Sequence, residues 1–173
     1  MRVTIPAKSH SRRPRWAAQL VGLGLTTALA VGFAAPASAL QPGPPSGSGV
    51  QPDEEQGNAT FPELGYTCPQ GVRVINNPEV GTNEFTVDGF TVSITVRNTE
   101  GVGETFDFDI ISDHVALGVL VKGGPNTNEY DYRPSGIEED TNLHAPLGAG
   151  PSGSLYHDIS NIEFCLDRDG NQT

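Results

Sequence analysis

Lys122 is the residue with the most pointed chemistry in this chain. It is the only lysine after residue 39, and it ends a nearly continuous apolar run, His114 to Lys122, just before Gly123-Gly124. An ammonium buried at such a place needs a carboxylate beside it, and Asp107 or Asp109 on the preceding strand can supply one. A desolvated, neutral lysine can instead attack a side-chain carbonyl and crosslink to an Asp or Asn. The plainest reading leaves the amine at the strand end, facing water. All three readings stay open on the sequence.

Three histidines follow residue 39: His114, His144 and His157. Imidazoles ligate zinc or copper, but these follow no ligand spacing. Hydrogen bonding at strand ends and loops is the expected role. Glu138, Glu139 and Asp140 are the calcium candidates. Asp167-Arg168-Asp169-Gly170-Asn171 opens like a calcium loop, but its Gly comes fourth, where an EF-hand needs it sixth. Gly150-Pro151-Ser152-Gly153-Ser154 approaches a nucleophile elbow and lacks the final Gly. Carboxylates for glycoside cleavage are plentiful, so none is singled out. Tyr130 and Tyr132 share one strand face; with Tyr156 they suit sugar stacking or partner anchoring. The alternative is that the rings pack on the sheet with their hydroxyls in water. No catalytic residue is assigned, and calcium is the only cofactor considered.

The elements that position these residues read as strands. Phe90, Val92, Ile94 and Val96 alternate with Thr91, Ser93 and Thr95, which predicts a strand with one buried face. Thr82 to Val87 precedes it across Asp88-Gly89, a strong hairpin signal. Phe106, Phe108 and Ile110 alternate with Asp107 and Asp109. The run His114 to Lys122 predicts a central strand covered on both faces. Val72 and Val74, Glu129 to Tyr132, and Asp158 to Leu166 complete the set. The expected fold is all-β, an antiparallel β-sandwich of about seven strands. Pro134 to Ser154 is read as one long loop, and Asn98 to Gly103 as a turn.

Cys68 and Cys165 are the only cysteines. An even count and an oxidising compartment predict one disulfide joining the first and last parts of the domain. Neither has a basic neighbour that would make it a nucleophile.

The compartment is inferred from the beginning of the chain. Arg2, Lys8, Arg12, Arg13 and Arg15 form a basic head, and Leu20 to Ala35 is almost wholly apolar. Ala37-Ser38-Ala39 offers a signal-peptidase site, so cleavage is expected after Ala39. Ser11-Arg12-Arg13 hints at twin-arginine export, but the charge at Arg15 favours the general secretory route. Residues 40–60, rich in Pro, Gly, Ser and acid, read as a disordered tether. The sandwich is expected over 61–167, with 168–173 frayed.

All 21 Asp and Glu lie beyond residue 39 but only five of the ten Lys and Arg do, which makes the mature charge −16 against −11 for the precursor. Such a chain repels phosphate backbones, which argues against nucleic acid as a partner. No second apolar stretch follows the leader, so no membrane anchor is expected after cleavage.

Four stretches in order, Val121-Lys122-Gly123-Gly124, Tyr130-x-Tyr132, Leu143-His144-Ala145-Pro146, and Ile159-Ser160 through Phe164-Cys165, resemble an uncharacterised family of secreted bacterial β-rich domains. The resemblance spans Cys68 to Leu166. It implies export and a β-rich fold, and carries no catalytic residue with it. The combined reading is a secreted, non-catalytic binding or interaction module of the extracellular space or cell wall. Its partner would be an extracellular protein or polysaccharide. The alternatives are a small secreted hydrolase acting on carbohydrate, or a calcium-stabilised adhesive domain.

Overall fold

The alternating segments fold into two antiparallel sheets. The computed structural model describes residues 43–148 and 154–168; the expected leader and expected cleavage site, most of Gly150–Ser154, and Asp169 onward lie outside the described residues. The strands are β1 (Asp53–Gln56), β2 (Val72–Asn76), β3 (Gly81–Val87), β4 (Phe90–Thr99), β5 (Gly103–Ile110), β6 (His114–Gly123), β7 (Asn126–Asp131), β8 (Glu139–His144) and β9 (Asn161–Arg168). One sheet runs β1-β7-β6-β9-β2 and the other β3-β4-β5-β8. The sandwich is therefore as expected, with nine strands among the described residues where about seven were read.

Phe90, Val92, Ile94 and Val96 all turn into the space between the sheets, with Phe106, Phe108 and Ile110 of β5 beside them. Val119, Val121, Tyr130, Ile162 and Phe164 meet them from the other sheet. Val87 pairs with Phe90 across a two-residue turn, in which Asp88 and Gly89 both take positive φ. That is the turn whose twist matches its flanking strands. Every residue of β6 is buried, as a central strand requires.

Side chains alternate faces along a strand, so Leu120 and Cys165 point away from this core. They join Phe61, Tyr66 and Leu117 in a second apolar cluster on the outer face of the five-stranded sheet. The Cys68–Cys165 disulfide pins the chain preceding β2 to that face.

Four readings are corrected. Residues 43–60 are not a tether: β1 pairs with β7, from Asp53 opposite Glu129 to Gln56 opposite Asn126. Three consecutive acids are poor strand formers; here Asn126 Nδ2 donates to Glu54 at 2.7 Å and tertiary pairing overrides propensity. The stretch from Pro134 is not one loop, because β8 extends the four-stranded sheet by pairing with β5. Val72 and Val74 are exposed, and Ile75 is the buried residue of β2. The last strand begins at Asn161 rather than Asp158.

Candidate functional site

Lys122, Asp107 and His144 do not converge. Lys122 lies on the outer face of the five-stranded sheet, and its Nζ donates to Glu163 Oε1 at 2.7 Å. Both side chains are largely buried, so the exposed reading and the Asp107 or Asp109 pairing are both corrected. Asp107 and Asp109 sit on the outward positions of the other sheet. Asp107 pairs with Arg97 and accepts from the Asn142 amide at 3.1 Å. The guanidinium holds the Asp107 carboxyl below the usual carboxylate range. Asp109 stands exposed, directly opposite Glu139.

His144 is the centre of a buried polar network at one edge of the sandwich. Its ring stacks on Tyr156, with centroids 4.1 Å apart. Nδ1 lies 2.8 Å from the Ala145 carbonyl and Nε2 3.1 Å from the Pro44 carbonyl. A neutral ring can donate to one of these and an imidazolium to both. The His144 amide donates to Tyr130 Oη at 3.0 Å, and Asn128 Nδ2 donates to the His144 carbonyl at 3.0 Å.

The second node is Asp140. Its Oδ1 accepts from the Ser48 amide (2.8 Å) and the Thr141 amide (2.7 Å). Its Oδ2 accepts from Ser48 Oγ (2.7 Å) and Tyr132 Oη (2.6 Å). Burial alone would raise the Asp140 carboxyl; the hydroxyls of Ser46, Tyr132 and Ser48 outweigh it and hold it below its ordinary value. The Tyr132 phenol is pushed up by burial and by that carboxylate.

These contacts correct the view of Tyr130 and Tyr132 as a surface platform. Tyr130 on β7 and Tyr132 just beyond its end both turn into the core between the sheets, 0% and 7% exposed. The calcium reading changes too. Asp140 turns inward with both oxygens engaged, whereas Glu138 and Glu139 are exposed. Among the described residues no group of three His, Cys, Asp or Glu is placed to hold a metal ion.

The network draws the N-terminal segment onto the sandwich edge. Ser46 and Gly49 close a tight turn, and the Gly47 amide donates to the Thr141 carbonyl at 2.7 Å. A Cβ on Gly47 would sit 1.9 Å from Thr141 Oγ1, so a larger residue there would force the Thr141 side chain to shift. Docking creates an open cleft of about 700 Å³, walled by Gly47 and Ser48 on one side and by residues 135–141, with Val115, on the other. Its polar wall carries Ser48, Ser135, Glu138, Glu139 and Thr141, and Asp140 lies at its edge of the network. A pocket of a few hundred Å³ or more is the size small ligands occupy.

A second polar cluster lies on the outer face of the five-stranded sheet. The Arg133 guanidinium stacks 3.6 Å over the Tyr66 ring and pairs with Asp131 at 2.7 Å. Glu129 is buried beneath it, 3.8 Å from Arg133, and burial holds its carboxyl above the usual range.

Ser48, Asn128 and Glu163 were missed in the sequence. Ser46-Gly47-Ser48 has a linker's composition. Glu163 did carry a signal: it is a lone charge among Ile162, Phe164, Cys165 and Leu166. Two contacts link the resembling stretches: Ser160 Oγ donates to the Lys122 carbonyl at 3.0 Å, and the His144 amide donates to Tyr130 Oη at 3.0 Å. Comparisons with protein families, curated proteins and solved structures return no match to this chain.

Proposed function

We propose that this chain is an exported, non-catalytic module that binds a polysaccharide segment in the cleft between Ser48 and residues 135–141. One observation carries the reading. The groups best suited to chemistry (His144, Asp140, Tyr130, Tyr132, Lys122) are engaged with neighbouring side chains or with backbone, while the cleft beside them presents the exposed Glu138 and Glu139 carboxylates and the exposed Thr141 side chain. Sugar hydroxyls both donate and accept, so they suit such a wall. The concave shape favours a small chain segment over a flat protein surface. The charge of −16 left once residues 1–39 are removed repels polyanions, so the expected ligand is a neutral or amine-bearing glycan. Among the described residues no aromatic ring lines the cleft, which points to modest affinity.

Export rests on the leader-like opening and is consistent with the disulfide, since such bonds persist in oxidising compartments. The test is retention on insoluble cell-wall polysaccharide, comparing the wild type with Glu138→Ala and Glu139→Ala. The wild type is retained and both variants wash off. Equal retention of all three would place binding elsewhere, and release of reducing sugar by the wild type would favour the hydrolase.

A further inference from the structure

We propose that Lys122 and Asn161 form an intramolecular isopeptide bond, with Glu163 relaying the proton. Lys122 on β6 and Asn161 on β9 are directly opposite each other in the strand register. They share the outer face of the sheet, because Val121 and Ile162, their neighbours, both point into the core. Directly opposed Cβ atoms lie about 5 Å apart, within reach of a folded lysine chain.

Three features set this patch apart. Lys122 is the only lysine after residue 39, and it is buried. Its Nζ is 2.7 Å from Glu163 Oε1, in a pair whose side chains keep 8% and 14% exposure. The Asn161 side-chain carbonyl oxygen is buried with no hydrogen-bond partner. Buried polar atoms are nearly always satisfied, so this one calls for an explanation. Desolvating an ion pair is costly and rarely stabilises more than apolar packing would, so stability alone does not account for the arrangement.

The chemistry balances without a co-reactant. Glu163 takes a proton from the Lys122 ammonium, leaving a neutral amine. The amine lone pair attacks Cγ of Asn161 and a C–N bond forms. Protonated Glu163 delivers its proton to the side-chain nitrogen, the original C–N bond breaks, and ammonia leaves. The attacking nitrogen then loses its extra proton to Glu163. The product is an amide staple between β6 and β9, and β9 would carry it at one end and the disulfide near the other.

The experiment is the intact mass of the purified mature protein after reduction, with peptide mapping. The expected mass is about 17 Da (one ammonia) below that of the sequence, with one branched fragment joining the β6 and β9 peptides. Lys122→Met and Glu163→Gln restore the full mass. A wild type at full sequence mass overturns the proposal, as does a loss mapped to any other residue, such as a cyclised N-terminal glutamine. Persistence of the loss in Glu163→Gln overturns the relay role.

Discussion

Tyr132 donates its hydroxyl to Asp140 across 2.6 Å, from the residue just after β7 to an edge strand of the opposite sheet. Ser48 donates to the same carboxylate twice, so one acid holds together both sheets and the N-terminal segment. The cleft exists because of this arrangement.

Asp140→Ala is expected to lower stability by at least about 3 kcal/mol, because several buried donors lose their acceptor and each unpaired group costs about 1–3 kcal/mol. Tyr132→Phe removes one bond to a charged group and should cost about 1.5–3 kcal/mol. Urea denaturation of the three proteins checks both values.

Asp140 also sets an acid limit. Its folded carboxyl titrates below its ordinary value. Its stabilisation is therefore fully present above the unfolded carboxylate value, about 3.9, and is lost as pH falls through the lowered folded value. Asp140→Asn should be less stable at neutral pH and should lack this component of the acid transition.

Glu129 has the opposite sign. Burial raises its folded carboxyl. Its contribution is most favourable below the unfolded value, about 4.3, and declines as pH rises through the folded one. Glu129→Gln should melt above the wild type at pH 7, and the difference should close as both proteins are titrated to acid.

Removing residues before Phe61 distinguishes a tether from a wall. A tether can be cut without effect. Here the cut removes β1, the Ser48 donors and one side of the cleft. The melting temperature is expected to fall by roughly 5–10 °C, and glycan retention should be lost.

Much of the fold was legible because its signals are local. Period-two alternation placed β4 and β5, and the continuous apolar run placed β6. Asp88-Gly89 placed the first hairpin, and the cysteine count gave the disulfide. What was not legible depends on partners distant in sequence. The Asp53-Glu54-Glu55 run has no intrinsic reason to be a strand until β7 presents Asn128 and Thr127 opposite it. Val72 and Val74 resemble core residues but point to the outer side of β2, away from the core that Ile75 enters, and are exposed there. The sequence singles out the tyrosines for ligand stacking and Asp140 for calcium. Only the fold shows that they face inward and bind each other, and that the cleft they support is walled by a stretch with a linker's composition.

The most direct measurement is a hydrogen-exchange footprint of the protein with and without the polysaccharide it retains. Added protection is expected at residues 47–48 and 135–141, with the outer face of β3 and β4 unchanged. Protection centred on β3 and β4, or on the Tyr66–Arg133 surface, with the cleft unchanged, would contradict binding in the cleft.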